Sequence, residues 1–363
     1  MKGLAYYITA HGFGHGVRSC DILNAFHQQC PQVPIWIVSD LPPPFLRNRL
    51  AGIPYTQRRA VLDVGMVQRD SVRVDVEATL DQALALCQKW PQRCAEETRF
   101  LRDADIGGIV CDIPAIPLEA AAALDLPRLA TGNFSWSWIY SAFVERDPRW
   151  QTVIDRFTAG YQHADLLLRM PFAEPMSLFA DQVEIPVLAE PGRAQRQAMA
   201  KLTGADPAKR WVLLSFSTLD WDDRALARVA ALHDYAFFTV RPLAWEGPNF
   251  YAIDREDLLF SDVMASVDAV ITKPGFGVLS ECVVNRKPIL YVDRADFLEY
   301  PVLEAAIQRY LQHLHIPAAQ FYRGELEPLL SQLWDQPTPR EQPPMNGAPI
   351  AAERIATHLQ FTP

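Results

Sequence analysis

The sequence predicts an α/β protein with two consecutive, doubly wound, Rossmann-like domains that face a central cleft. The chain has 363 residues, which is more than one ordinary core holds and suits two. In each half, apolar runs of strand length alternate with helical patterns, as in parallel α/β sheets. Residues 171–195 carry four prolines and no periodicity, which places the junction between the halves there.

The first half opens with a strand at Leu4–Thr9, a glycine-rich turn, a helix over residues 18–29 and a strand at 34–39. This βαβ order requires a parallel sheet. The pattern then continues to a last strand, with helices at 76–103 and 118–124 and strands at 106–111, 128–131 and 164–169.

The second half repeats this alternation. Its predicted strands are 211–216, 236–240, 269–272 and 289–292, and its predicted helices are 222–232, 278–285, 301–311 and a final one at about 350–359. We expect one domain at 1–170 and another at 186–335. In open α/β sheets ligands bind beyond the carboxyl ends of the strands, so the loops that follow strands are the places to look for chemistry.

Composition excludes several classes of function. A net charge of −9 argues against nucleic acid, because phosphate binding needs clustered Lys and Arg. The apolar runs are too short for a transmembrane segment, and Gly3–Ala10 fits a buried first strand better than a signal peptide. The six cysteines include no C-x-x-C pair, which indicates buried, reduced thiols in a cytoplasmic protein.

The first candidate loop follows the first strand and contains His11, Gly12, Gly14, His15 and Gly16. Small residues such as Gly14 let the backbone approach a ligand, yet the loop lacks both the G-x-G-x-x-G fingerprint and the P-loop lysine. His15, beside the helix start, is the candidate general base, since imidazole titrates near neutral pH. Two other interpretations remain: the histidines bind a metal, or His11 packs in the core. The glycines argue against a helix across this loop.

The second candidate loop spans Ala269–Cys282, where a strand enters a Pro-Gly-x-Gly turn and then a helix. Backbone N–H groups around Gly275 and Gly277 would point into the cleft. Ser280 and Glu281 are expected in the first helical turn, where a hydroxyl suits phosphate and a carboxylate suits a vicinal diol. The alternative for Glu281 is an acidic residue that only complements the helix dipole.

Together these motifs resemble the GT-B glycosyltransferases. The second loop, continued through Lys287-Pro288, is similar to their donor-binding signature, and the first loop to their N-terminal glycine–histidine turn. Both also resemble the peptidoglycan N-acetylglucosamine transferases. The H-G-F-G-H motif and the N-F-S-W segment at Asn133–Trp136 further resemble the glycosyltransferase-like region of plant L-arabinokinases. The resemblance extends to about residue 335 and implies that a helix at 349–360 crosses back to the first domain.

This resemblance implies the roles of individual residues. Glu281 would bind the nucleotide ribose, and Asp296 or Glu299 the sugar hydroxyls. Small hydroxyl residues at Leu214–Thr218, including Ser217, replace the family's glycine turn. The diphosphate would lie against a further set of residues: Gly275, Gly277 and Ser280, with a fixed positive charge from Lys273 or Arg18.

The function implied is transfer of a sugar from a nucleotide-diphosphate donor, a UDP-sugar, to a hydroxyl of a small-molecule or lipid-linked acceptor. His15 would take the acceptor proton in an inverting reaction that uses no metal and no cofactor. The aromatic segment Asn133–Tyr140 would be either an acceptor surface or core. An epimerase or hydrolase on the same scaffold and a non-catalytic nucleotide-sugar sensor are the alternatives, and the missing fingerprint disfavours a nicotinamide oxidoreductase.

Overall fold

A computed structural model describes residues 2–69, 73–254, 256–294 and 297–361. The chain divides into two compact units. Unit 1 comprises Met1–Val67, Asp75–Ala189 and Pro344–Pro363, and unit 2 comprises Gln68–Val74 and Glu190–Pro343. The chain therefore passes from one unit to the other more than once.

Unit 1 is built on a parallel sheet of seven described strands in the order β3-β2-β1-β4-β5-β6-β7. The strands are β1 Gly3–Ile8, β2 Ile35–Val38, β3 Thr56–Arg58, β4 Ile106–Asp112, β5 Arg128–Gly132, β6 Leu166–Arg169 and β7 Gln182–Glu184. The helices between them are α1 Phe13–Gln29, α2 Pro43–Arg49, α3 Val76–Asp103, α4 Ile116–Ala122, α5 Trp136–Ser141 and α6 Trp150–Tyr161.

The central strands form because their sequences are apolar on both faces. All six residues of β1 are buried, and β4 beside it is buried at every position but one. A parallel sheet needs this pattern because its crossover helices cover both faces. The long helix α3 begins at a side-chain cap, since Asp75 Oδ1 accepts the Ala78 N–H at 3.0 Å.

Two predictions for unit 1 are wrong. The strand at 164–169 is not the last of this half, because β7 pairs with β6 inside the proline-rich stretch. That strand has three largely polar residues at the sheet edge, so it shows no apolar pattern. Helix α1 begins at Phe13, five residues earlier than predicted, after Gly12 adopts a φ of +122°. Gly14, His15 and Gly16 are therefore helical.

Unit 2 has a parallel sheet of six described strands in the order β10-β9-β8-β11-β12-β13. The strands are β8 Arg210–Ser215, β9 Tyr235–Val240, β10 Phe250–Ile253, β11 Ala269–Thr272, β12 Ile289–Val292 and β13 His313–Ile316. The helices are α7 Arg196–Thr203, α8 Asp223–Ala230, α9 Phe260–Ser266, α10 Phe276–Val284, α11 Tyr300–Tyr310, α12 Ala318–Tyr322 and α13 Glu327–Leu333. The sequence predicts the four inner strands but neither edge strand, β10 or β13.

The last helix, α14 Gly347–His358, packs against α1 in unit 1. Its buried face, with Ala351 and Ile355, joins the core that contains Leu23 and Phe26 of α1. Gly347 lies so close to the chain that enters unit 2 that a Cβ there would lie 2.1 Å from the Pro186 carbonyl oxygen.

Replacing Gly347 with alanine is therefore expected to loosen α14, at a cost of about 1–3 kcal/mol typical of overpacking. Gly14→Ala is the matched control, because it also lies at a helix start but a Cβ there meets nothing within 4 Å. It should stabilise α1 by roughly 0.5–1 kcal/mol. Hydrogen exchange at the amides of α1 and α14 measures both effects. Unchanged exchange of α14 in Gly347→Ala would contradict the close-packing argument.

Two expectations from composition can be compared with the structure. Within the described ranges, no helix combines the length and the apolarity needed to cross a bilayer. All six cysteines are free thiols. Four are buried as predicted (Cys20, Cys30, Cys111 and Cys282), whereas Cys87 and Cys94 on α3 are only half-buried.

Candidate active site

The chain order of the unit 1 sheet reverses between β1 and β4. After β1 the chain builds β2 and β3 to one side, and β4 starts the strands on the other side. Such a switch point leaves a crevice at the carboxyl ends of the two strands. His15 lies in the first turn of α1, just after β1, and Asp112 is the last residue of β4.

These two side chains form a histidine–aspartate pair. The Nδ1 atom of His15 lies 2.7 Å from Oδ1 of Asp112. Asp112 is fully buried, whereas the side chain of His15 retains 13% of its exposure. The pair therefore places a partly accessible imidazole on a buried carboxylate.

Asp112 accepts a hydrogen bond at each of its four lone-pair positions. Besides the bond from His15, Oδ1 accepts a hydrogen bond from Arg18 Nη2. Oδ2 accepts hydrogen bonds from Arg18 Nε at 2.7 Å and from Ser19 Oγ at 2.9 Å. Burial acts to raise the pKa of this carboxyl, but the charges of Arg18 and His15 and their hydrogen bonds outweigh it and hold the pKa well below its usual range. Asp112 is thus an anion at neutral pH.

The same geometry assigns the tautomer of His15. If Nδ1 carried no proton, its lone pair would face the carboxylate oxygen at 2.7 Å and the two would repel. Nδ1 therefore carries a proton and donates it to Asp112, which leaves Nε2 of the neutral ring as a proton acceptor. An imidazole held in this way can accept a proton from a hydroxyl group.

A second buried carboxylate lies near this pair. Asp63, in the loop after β3, accepts Thr9 Oγ1 at 2.9 Å and Trp136 Nε1 at 3.0 Å. Its pKa is raised, chiefly because the group is buried, although both hydrogen bonds and the charge of His15 act in the opposite direction. Asp63 therefore links the β1 loop to the aromatic segment beside the site.

The aromatic segment is largely core. Phe134 and Trp136 are buried, and Trp138 is half-buried. The ring of Phe134 nevertheless meets His15 edge-on, with centroids 5.9 Å apart. Asn133, at the start of this segment, accepts a hydrogen bond from Arg18 Nη1. Phe134 and Asn133 thus form part of the surroundings of the pair of His15 and Asp112.

His11 is engaged in packing, as one of the two alternatives for it predicts. Its Nε2 atom lies 3.1 Å from the Met66 N–H and accepts that hydrogen bond, and its ring meets Trp136 edge-on. A Cβ at Gly65, whose φ is +70°, would lie 2.2 Å from the His11 ring. No group of three or more His, Cys, Asp or Glu suited to a metal ion occurs in the described part of the chain.

Unit 2 has an equivalent switch point, between β8 and β11. Gly275 caps the N-terminus of α10, which begins at Phe276, two residues earlier than predicted. Ser280 and Glu281 therefore lie in the second turn of α10, and the expectation of the first turn is wrong. Ser280 Oγ donates to the Phe276 carbonyl at 2.9 Å. The carboxylate-bearing residue Glu281 is buried, with 8% of its surface exposed.

The other predicted donor residues lie around the same edge of the unit 2 sheet. Ser217 follows β8 and is exposed, Lys273 follows β11 and is half-buried, and Gly277 is exposed in the first turn of α10. Glu299, at the start of α11, lies 3.7 Å from Arg294. Asp296 lies outside the described residues.

Lys287, which precedes Pro288 at the end of the second motif, faces away from this edge. Its Nζ donates to the carbonyls of Ala265 and Val267, both at 2.8 Å, and so caps the C-terminus of α9. Burial lowers the pKa of this lysine. Lys287 therefore supports the fold beneath the loop.

The sequence interpretation missed Asp112 and Asp63 and gave Arg18 a different role. Asp112 carries a usable signal, because it is the polar last residue of the apolar strand Ile106–Asp112. Its importance follows only from the strand order, which places β4 beside β1. Asp63 lies in an irregular loop, and no pattern in the sequence marks it.

Comparison with known proteins confirms the fold. No protein-family profile matches the chain. The sequence is similar to L-arabinokinase of Arabidopsis thaliana, with 25% identity over 357 residues, which cover 96% of this chain and 33% of that protein. The chain therefore spans about a third of the length of this curated relative.

The structure resembles solved glycosyltransferases over nearly its whole length. The kitacinnamycin glycotransferase matches with a TM-score of 0.59 and 16% identity, over 99% of this chain and 95% of that one. UGT2 of Phytolacca americana, solved with UDP-2-fluoro-glucose and pterostilbene, matches with a TM-score of 0.61 and 11% identity, over 99% and 93%. These likenesses, together with the two parallel Rossmann-like sheets, confirm the GT-B fold that the motifs predict.

Proposed function

We propose that the chain transfers a sugar from a UDP-sugar to a hydroxyl group of a small-molecule acceptor, with inversion and without a metal ion. The observation that carries this proposal is the pair of His15 and Asp112 at the switch point of unit 1. The GT-B fold supports the reaction class. UDP-2-fluoro-glucose and pterostilbene, with which the Phytolacca americana enzyme was solved, support the classes of donor and acceptor.

In the proposed reaction, Nε2 of His15 accepts the proton of the acceptor hydroxyl. The acceptor oxygen forms a bond to the anomeric carbon as the bond from that carbon to the diphosphate oxygen breaks, and UDP leaves with the electron pair. Asp112 stabilises the imidazolium that forms, through the hydrogen bond at Nδ1. The ring of His15 then becomes neutral again when it releases its proton to water.

The donor would be held by unit 2. The N–H groups at the start of α10, after Gly275, suit the diphosphate because they lie at the positive end of the helix dipole. A Cβ at Gly275 would meet only Val278, at 3.8 Å, so packing does not require glycine there. Close approach of a ligand to the backbone explains the glycine better. Lys273, on the same turn, supplies a positive charge.

The experiment that tests the function incubates the purified chain with a panel of nucleotide sugars, with and without a mixture of phenolic and sugar alcohols. Release of UDP that depends on an acceptor, together with a glycoside of inverted configuration, is the expected result. UDP release without acceptor would indicate a hydrolase, isomerised sugar an epimerase, and binding without turnover a sensor. Activity that persists in EDTA is expected for a reaction without metal.

Glu281 is expected to bind the ribose diol of the donor. Hydrogen bonds to a charged group are worth about 1.5–3 kcal/mol, so Glu281→Ala should weaken UDP binding about 10- to 100-fold in calorimetry. The wild-type chain should also prefer UDP to 2′-deoxy-UDP, and the variant should lose that preference. Glu304→Ala is the control, since Glu304 on α11 accepts hydrogen bonds from Tyr291 on β12 and from Tyr300 on its own helix. A preference for UDP that survives in Glu281→Ala would refute the ribose role.

A further inference from the structure

Arg18 lies one helical turn after His15 on α1, and its guanidinium group is turned toward the catalytic pair. Nε and Nη2 bind the two oxygens of Asp112 in the side-on, two-point geometry that arginine forms with carboxylates. Nη1 donates to Asn133, whose own Nδ2 donates to the Pro171 carbonyl. The side chain of Arg18 is 13% exposed.

These contacts direct the N–H donors of the Arg18 guanidinium group into unit 1. Every nitrogen of the guanidinium group has an acceptor there, on Asp112 or on Asn133. A residue that served mainly to bind a diphosphate would need its donors at the crevice. The fixed cation that the family resemblance implies is therefore better sought at Lys273.

The position of Arg18 also has an electrostatic consequence for His15. Nη2 of Arg18 lies 2.9 Å from Nδ1 of His15. Because both nitrogen atoms carry a proton, neither can accept a hydrogen bond from the other. Both donate instead to Oδ1 of Asp112, so a positive charge lies beside the ring. An imidazolium at this site would be attracted by Asp112 and repelled by Arg18.

We infer that Arg18 is a positioning residue that holds Asp112 in place and sets a positive charge against the ring of His15, the proposed base. The inference rests on the proposed function only where activity is concerned. In the described part of the chain, the charged groups that bear on His15 include Asp112 at the end of β4, Arg18 on α1 and Asp63 in the loop after β3. Arg18 is the positive one among them, and it offsets the attraction of the carboxylates.

The test compares Arg18→Met and Arg18→Lys with Arg49→Met. Arg49 is the matched control because it is a partly buried arginine that also pairs with an aspartate of α1, Asp21. Three quantities are measured: the midpoint of the His15 ring titration by NMR, the affinity for UDP, and the pH profile of kcat/KM. The NMR measurement needs no sugar transfer, so it separates a failure of this inference from a failure of the proposed function.

For Arg18→Met we expect the His15 midpoint to move upward by about one pH unit, the shift typical of a nearby charge. The acid limb of kcat/KM should move with it, and kcat should fall about tenfold or more while UDP affinity stays within about twofold. Arg18→Lys keeps the positive charge but loses the two-point contact of the guanidinium group with Asp112. The His15 midpoint in this variant should therefore move less, while kcat still falls. Arg49→Met should change none of these.

Two results would overturn the inference. The first is a UDP affinity that falls about tenfold in both Arg18 variants with an unmoved His15 midpoint, which would mark Arg18 as a diphosphate ligand. The second is an unchanged midpoint with unchanged kcat in a folded Arg18→Lys or Arg18→Met protein. If Arg18→Met does not fold, the Arg18→Lys variant is used alone. A lower kcat with an unchanged affinity for UDP then supports the inference, and a lower affinity for UDP overturns it.

Discussion

Replacing His15 with alanine is expected to lower kcat about 10²- to 10⁴-fold, the contribution typical of a general base. The acceptor hydroxyl then loses its proton acceptor, and Asp112 is a poor substitute because it is fully buried and still accepts three hydrogen bonds, two from Arg18 and one from Ser19. Binding of UDP should be unaffected, since in the proposed function unit 2 holds the donor.

The measurement pairs initial rates with calorimetry of UDP. His27→Ala is the control, because His27 lies on the same helix in its last turn, three turns from the site. Added imidazole should restore part of the rate in His15→Ala by occupying the space of the lost ring. Rates that remain near the wild-type level in a folded His15→Ala protein would show that His15 is not the general base and would contradict the proposed mechanism.

The regular parts of this fold follow from local sequence. The helix predicted at 76–103 matches α3, Val76–Asp103, because a capping aspartate, an amphipathic pattern and a terminal basic residue all agree. The buried strands β1, β4, β8 and β11 are also predicted, because parallel strands in the middle of a sheet are apolar throughout. The edge strands β3, β7, β10 and β13 are missed, since an edge strand is short and one side of it faces solvent.

The start of α1 shows why local reasoning failed near the site. Three alternating glycines argue against a helix by propensity, yet α1 includes two of them. Gly16 lies against Leu41 and Phe45, where a Cβ would come within 2.8 Å of both side chains, so packing with α2 compensates for the lost propensity. That compensation involves residues about 25 positions away and cannot be read from the turn itself.

The candidate site was half predicted for the same reason. His15 and the Gly275–Glu281 loop stand out because each is a motif in continuous sequence. Asp112 is 97 residues from His15 and becomes its partner only through the pairing of β1 with β4. A sequence can mark the residue that carries chemistry, whereas the residue that tunes it is a property of the assembled sheet.

Asp112→Asn should therefore affect both catalysis and stability. The amide keeps the shape of the side chain but removes the charge that stabilises the His15 imidazolium, so kcat is expected to fall about 10²- to 10⁴-fold. It also leaves Arg18 beside a neutral group in a nearly buried position. Breaking one partner of such a pair typically costs about 3–5 kcal/mol in the free energy of unfolding.

The stability effect should depend on pH in a definite direction. Because the pKa of Asp112 is lower in the folded chain than the usual value near 3.9 for an unfolded one, its charge stabilises the fold above about pH 4. That stabilisation is lost as the pH falls below this value toward the folded pKa. The difference in unfolding free energy between wild type and Asp112→Asn should thus be largest at neutral pH and shrink below about pH 4.

Hydrogen exchange at the amides of β1 and β4 at pH 7 and below pH 4 measures this difference within unit 1. Asp21→Asn is the matched control, since Asp21 pairs with Arg49 but both side chains are partly exposed. Its loss should cost about 1 kcal/mol or less, with little change over the same pH range. A pH-independent difference for Asp112→Asn would mean that Asp112 is not held as a buried anion, and His15 would then lack the charge that its role as base requires.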